Sequence, residues 1–81
     1  MAISAVEIDE RVADVRVTSD TLEVVLRDGR KISAPLAWFP RLAEASEADR
    51  ASWELSGAGL GVHWPGLDED LSVAGLLRQG A

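Results

Sequence analysis

Residues 12–36 decide the fold, and they read VADVRVTSDTLEVVLRDGRKISAPL. Apolar and polar residues alternate in three short runs, and this period of two is typical of half-buried β-strands. The apolar positions are Ala13, Val15 and Val17 in the first run, Leu22, Val24 and Leu26 in the second, and Ile32, Ala34 and Leu36 in the third. We therefore predict an antiparallel meander of three strands.

The turns between these strands set the pairing, because a slip of one residue would exchange a strand's two faces. A two-residue turn at Ser19-Asp20 places Val17 opposite Leu22, so apolar meets apolar. A two-residue turn at Asp28-Gly29 would instead pair apolar with polar residues. A three-residue loop over residues 27–29 matches the apolar faces and gives Gly29 the left-handed position that such loops require. We predict the three-residue loop.

Helix signals follow the meander. Pro40 suits the first position of a helix, and Ser46 with Asp49 three residues later is a candidate capping box. We predict short helices over residues 40–45 and 47–52, or one fused helix. A last helix is predicted over residues 73–79, with Ser72 as its N-cap and Gly80 as its C-terminal cap.

A further strand is predicted where Leu60, Val62 and Trp64 alternate with Gly61 and His63. The predicted fold class is therefore α+β. It consists of an antiparallel β-meander of three strands plus a fourth strand, with two or three short helices packed on it.

Length and composition restrict the class of protein. The 81 residues predict a single domain, with residues 1–11 as a variable lead-in. There are no cysteines, no secretory signal is recognisable, and no apolar run is long enough to span a membrane, so we expect a cytoplasmic protein. A net charge of −6 disfavours direct contact with nucleic acid and favours a basic protein partner. Arg27, Arg30 and Lys31 are interpreted as a solvated hairpin tip, with a phosphate contact as the alternative.

His63, the single histidine, is the candidate for acid–base chemistry, with Asp68 or Asp70 as the group that would orient it. The chain has no cysteine or tyrosine, and its serines are predicted in turns, strands or caps. We therefore predict that the protein is not an enzyme and has no catalytic residues. The alternative interpretation of His63 is an exposed or hydrogen-bonded residue on a strand.

The acidic run Asp68-Glu69-Asp70 lacks the alternating spacing of a calcium loop, and we predict no metal site and no cofactor. Two interpretations remain open. The carboxylates could stabilise the positive end of the last helix, or they could form an acidic loop that binds basic side chains of a partner.

The aromatic residues lie between Trp38 and Trp64. Most are expected in the core, but an exposed tryptophan beside charges is typical of a binding hot spot. Trp38, with Arg41 beside it, and Trp64 are the candidates. The predicted partner-binding residues are Trp38, Arg41, His63, Trp64, Asp68, Glu69 and Asp70.

The runs DGRKISAPLAWFPRLAEASEADRASWEL and GLGVHWPGLDEDLSVAGLL resemble the bacterial family called domain of unknown function 2442. The motifs of that family fall on Asp28-Gly29, Pro35 to Leu42, Trp53, Val62 to Pro65, and Leu67 to Ser72, and the resemblance covers residues 12–80. It implies a small α+β module without an established activity. It also implies a gene neighbour from domain of unknown function 4160, in pairs proposed as toxin–antitoxin systems.

Three hypotheses follow. The first is a protein-binding module, in particular an antitoxin that covers the basic active surface of a small partner such as a toxin of the 4160 family. The second is a sensory or scaffold module that binds a small ligand near Trp38-Phe39 or self-associates, for example as a homodimer through an uncovered edge strand. The third is an enzyme that uses His63 with Asp68 or Asp70.

Overall fold

A computed structural model describes residues 7–79. The first sheet contains β1 (Val12–Val17), β2 (Thr21–Leu26) and β3 (Lys31–Pro35), which are antiparallel and adjacent in chain order. Alternate residues of β2 are buried, as the period of two predicts. The predicted meander is confirmed.

Both predicted turns of this sheet are confirmed. Val17 lies opposite Leu22, and the Thr18 N–H donates to the Thr21 carbonyl at 2.9 Å, which closes the two-residue turn. Across the next hairpin Val24 lies opposite Ile32, as only the three-residue loop allows. Gly29 has a φ of 95°, the left-handed conformation that the loop requires.

The predicted face of β1 is wrong at its first residue. Val12 pairs with Leu26 and Asp14 pairs with Val25, so Ala13 is an extra residue in a β-bulge. As a result Val12 is buried and Ala13 is exposed. The bulge moves Val12 into the core, which an uninterrupted alternation would not have done.

The helical segment consists of a 3₁₀ turn at Leu36–Trp38, followed by α1 (Pro40–Ala43) and α2 (Glu47–Ala51). The two helices are separate and shorter than predicted. Pro40 occupies the first turn of α1, and the Ser46 Oγ accepts a hydrogen bond from the Asp49 N–H at 3.1 Å. Ser46 therefore starts a new helix by capping its free N–H groups.

A second antiparallel sheet contains β4 (Glu54–Ser56), β5 (Gly61–Trp64) and β6 (Glu69–Ser72), again adjacent in chain order. The α+β class is confirmed, but the part of the chain between residues 7 and 79 has six strands in two sheets, where four strands were predicted. The added strands are β4 and β6. Most of the acidic run therefore belongs to a strand.

The helix α3 (Val73–Gln79) follows β6 directly, and the Ser72 Oγ accepts from the Gly75 N–H at 3.0 Å, as predicted for an N-cap. The predicted cap at Gly80 lies outside the described residues. The inner face of the first sheet, the helical segment, β5 and α3 together form one core. Its buried members are Val12, Val15, Leu22, Val24, Leu26, Ala34, Leu36, Phe39, Leu42, Val62, Trp64, Val73 and Leu76.

Candidate functional site

The outer face of the second sheet carries a row of three ionisable side chains. His63 lies opposite Glu54 on β4 and opposite Asp70 on β6, and directly opposed residues share a face of a sheet. The His63 Nδ1 lies 2.8 Å from the Asp70 Oδ1. Sequence reasoning proposed Asp70 as a partner of His63, but it placed Asp70 in a loop rather than on the adjacent strand.

Next to this row, Ser56, Gly61 and Ser72 form a second row across the same sheet. A Cβ on Gly61 would lie 2.7 Å from the Ser56 Oγ and 3.1 Å from the Leu71 carbonyl oxygen, so a larger residue would require Ser56 and β6 to shift. A depression of about 370 Å³ adjoins Gly61, and we name it the Gly61 depression. Its lining includes Ser56, Leu60, Gly61, Asp70 and Ser72.

The turn before β6 is held against α1. Asp68 adopts a left-handed conformation with a φ of 51°, and the Arg41 Nη1 donates to its carbonyl oxygen at 2.6 Å. Trp38, three residues before Arg41, is 48% exposed. Arg41 therefore links the segment that carries an exposed tryptophan to the turn that leads to Asp70.

These contacts connect five of the seven predicted partner-binding residues: Trp38, Arg41, His63, Asp68 and Asp70. We name this group the contact surface. Within it Arg41 contacts the Asp68 carbonyl and Asp70 contacts His63, while Trp38 lies three residues before Arg41 in the chain.

The other two predicted residues do not belong to the contact surface. Trp64 is 0% exposed, and its Nε1 donates to the Arg50 carbonyl at 3.0 Å, so it is a core residue. Glu69 lies opposite Trp64 and therefore on the inner side of the sheet, where it is half-buried. Strand alternation could have excluded Trp64, because it shares a face with the buried Val62.

The basic group at the β2–β3 loop is partly used within the protein. Arg30 forms ion pairs with Asp28 at 2.8 Å and with Glu10 at 3.2 Å. The Arg30 guanidinium lowers the pKa of Asp28 by hydrogen bonding, and the Arg11 side chain does the same for Asp9, whose pKa falls to about 2. This cluster ties residues 9–11 to the hairpin, and sequence reasoning predicted none of these contacts.

The pairing of His63 with Asp70 supplies the geometry that the enzyme hypothesis requires of an acid–base pair. In residues 7–79, however, Asp70 is the one side chain that forms a hydrogen bond with His63, and no hydroxyl does so. A nucleophile activated by His63 is therefore not assembled among those residues. The absence of catalytic activity stays a prediction.

Three further observations concern the described residues. Between residues 7 and 79 no cluster of three or more histidine, cysteine or carboxylate side chains has the arrangement of a metal site. The helices found in this range are too short and too polar to cross a membrane. Phe39 is buried in the core, whereas Trp38 beside it is exposed.

Comparison with known proteins agrees with the resemblance described above. The family model for a protein of unknown function, DUF2442, matches residues 12–81. The structure is similar to the crystal structure of a protein of unknown function from Rhodospirillum rubrum ATCC 11170. The two chains are 34% identical, with a TM-score of 0.70, over 85% of this chain and 86% of the other. No curated protein matches. The chain belongs to the DUF2442 family.

Proposed function

We propose that this chain is a protein-binding module that binds a basic partner through the contact surface. The observation that carries the proposal is the Arg41–Asp68 contact, which joins the helical segment that carries the exposed Trp38 to the turn that leads into the acidic strand β6. Neither feature alone would distinguish a binding surface from ordinary solvent-exposed residues.

Trp38 is the expected anchor of the interface. Large aromatic side chains are normally buried, and tryptophans that remain exposed are enriched among the residues that dominate binding energy. Trp38 follows β3 in a 3₁₀ turn whose first residue, Leu36, is buried. The turn is thus fixed to the core, and an ordered Trp38 loses less conformational entropy on binding than one on a free loop.

The acidic side chains of the contact surface and of β4 select the partner. Asp68 and Asp70 are exposed, and Glu54 extends the acidic row on the sheet. Arg41 uses one of its nitrogen atoms on a backbone carbonyl rather than on a carboxylate. Among residues 7–79 the Asp68 carboxylate and the Asp70 Oδ2 have no partner and can contact a basic surface, and the net charge of −6 would speed its approach.

An antitoxin role is a more specific form of this proposal. Its support is the family resemblance, which implies a small toxin-like partner of the 4160 family encoded beside this chain. The contact surface would then act by covering a basic active surface. Co-expression with the neighbouring gene tests this form, because an antitoxin restores growth that the neighbour alone inhibits.

The partner is identified by affinity capture from the native host, with a tagged chain and intact neighbouring genes. We expect one small basic protein in stoichiometric amount. Trp38→Ala should weaken its binding about tenfold or more. Ile8→Ala is the matched control, because Ile8 is also exposed (74%) and lies next to Asp9, which contacts Asp28 in the β2–β3 loop. This loop is at the end of β3 opposite to the end that leads to Trp38. Equal binding by the wild type, Trp38→Ala and Ile8→Ala would contradict the proposed surface.

A second candidate function is binding of a small ligand. A cleft of about 430 Å³ lies between β1 and α2, and Val15, Val17, Arg50 and Trp53 line it. Pockets of this size that combine apolar walls with a few polar groups are typical of ligand sites. A thermal-shift screen tests this function, since a ligand of the cleft should raise the melting temperature and lose its effect in Trp53→Ala.

A further inference from the structure

The Gly61 depression holds two hydrogen-bond acceptors that the described residues leave without a donor. The Asp70 Oδ1 contacts His63, and no donor between residues 7 and 79 reaches the Asp70 Oδ2. The Ser56 Oγ forms no hydrogen bond with those residues either, although it lies beside Gly61. The acceptors therefore come from β4 and β6, on both sides of the glycine.

Asp70 is also oriented before any ligand arrives. Its side chain is 71% exposed, but the contact of 2.8 Å with the His63 Nδ1 limits its rotation. A carboxylate that is already held in place loses less conformational entropy when it binds a cation. Glu54, on the other side of His63, adds a second negative charge to the same row.

We propose that the Gly61 depression binds an arginine side chain of the basic partner; this inference rests on the proposed function. The planar guanidinium presents several N–H donors in a fixed fork and can contact two separated acceptors at once. The exposed Leu60 at the rim offers apolar surface to the aliphatic part of the arginine. A lysine ammonium is a compact charge, so it fits two separated acceptors less well.

The space and the local charge agree with this occupant. The lining contains no basic side chain that would repel a guanidinium. Gly61 lets the Ser56 hydroxyl and the Leu71 carbonyl lie close to β5, so Ser56 is held at the depression. The contact surface and the depression share Asp70, so an arginine bound here would belong to the same interface as Trp38.

The test uses ¹⁵N-labelled full-length chain titrated with Nα-acetyl-arginine amide and followed by NMR. Chemical shifts of Gly61, Asp70 and Ser72 should change most, and Nα-acetyl-citrulline amide, the uncharged isostere, should leave them unchanged. Asp70→Asn should weaken binding about threefold or more, in keeping with an exposed ion pair. Asp14→Asn is the matched control, because Asp14 also pairs with a basic side chain, Arg16, but on the first sheet.

Shifts spread over other acidic residues, equal effects of citrulline, or unchanged binding by Asp70→Asn would each overturn the inference. If Asp70→Asn failed to fold, the comparison of the arginine and citrulline probes on the unaltered chain would still decide. If the arginine probe does not bind but capture still yields a partner whose binding requires Trp38, the arginine site alone is refuted. If the probe does not bind and no partner requires Trp38, the proposed function is refuted as well.

Discussion

Three consecutive residues of the β4–β5 connection adopt left-handed backbone conformations. The φ angles are 56° at Gly57, 58° at Ala58 and 88° at Gly59. Glycine adopts this region freely, whereas a residue with a Cβ pays roughly 1–2 kcal/mol there. Ala58 is therefore the strained residue of this turn.

We predict that Ala58→Gly stabilises the protein. The strain energy that is relieved in the folded state is larger than the free-energy cost of the extra backbone entropy that glycine has in the unfolded chain. The free energy of unfolding should therefore rise by about 0.5–1 kcal/mol. Urea denaturation measures the difference. Ala48→Gly, inside α2, is the control and should lower stability by about 0.5–1 kcal/mol. A loss of stability in Ala58→Gly would show that the turn is not strained.

The Asp9–Asp28 cluster predicts how stability depends on pH. Both carboxylates have a pKa below the usual 3.8, and that of Asp9 is about 2. A group with a lowered pKa stabilises the folded state at pH above its unfolded value, and this contribution is lost as the pH falls through the folded value. The loss should occur between about pH 4 and about pH 2.

The double variant Asp9→Asn, Asp28→Asn tests this dependence. It removes the ionisable groups, so its urea midpoint should be lower than that of the wild type near neutral pH and should fall less on acidification. The Asp28 side chain is only 4% exposed and accepts hydrogen bonds from the Asp9 and Arg30 N–H groups. Parallel pH profiles for the two proteins would mean that other groups cause the acid sensitivity.

The start of α2 depends on Ser46. Replacing an N-cap serine by alanine leaves helix N–H groups without an acceptor and typically costs about 1 kcal/mol. We expect Ser46→Ala to lower the free energy of unfolding by about this amount in urea denaturation. Ser33→Ala is the control, since Ser33 is exposed in the middle of β3 and its side chain forms no hydrogen bond with residues 7–79. A similar loss in both variants would argue against a capping role.

Elements with strong local signals were predictable from the sequence. Register arguments gave both turns of the first sheet, and capping residues gave the starts of α2 and α3. The strand β6 was not predictable in this way, because its four residues, Glu69–Ser72, contain a single apolar side chain. Its strand conformation depends on pairing with β5, a tertiary effect that overrides local preference. Sequence reasoning therefore placed Asp70 near His63 only as one of two alternatives.

The bulge at Ala13 escaped prediction for a related reason. An extra residue in a strand leaves no sign in a regular alternation, and both Val12 and Ala13 are apolar. In the structure Val12, the larger of the two, is buried in the core and Ala13 is exposed. Of the candidate site, the sequence could indicate residue types and approximate positions, whereas the Arg41–Asp68 contact depends on the packing of α1 against a turn 27 residues away.

In the whole molecule, Trp64 connects the parts that surround the core. It belongs to β5 in the second sheet, and its side chain packs in the same buried cluster as residues of the first sheet. Its indole N–H donates to the Arg50 carbonyl near the end of α2, where the helix itself provides no donor. The Arg50 side chain in turn donates to the carbonyls of Leu42 and Ala43 at the end of α1.

We predict that Trp64→Phe strongly destabilises the protein, whereas Trp38→Phe does not. The Trp64 variant loses buried volume and leaves the Arg50 carbonyl without its donor, so the free energy of unfolding should fall by about 2–4 kcal/mol. Trp38→Phe alters a half-exposed side chain and should change it by less than about 0.5 kcal/mol. Urea denaturation followed by circular dichroism measures both.

Because the two sheets share one core, the loss in Trp64→Phe should appear as a single cooperative transition at lower urea. Two separate transitions would show that the sheets unfold independently, and a large loss in Trp38→Phe would identify Trp38 as a structural residue rather than an interface anchor.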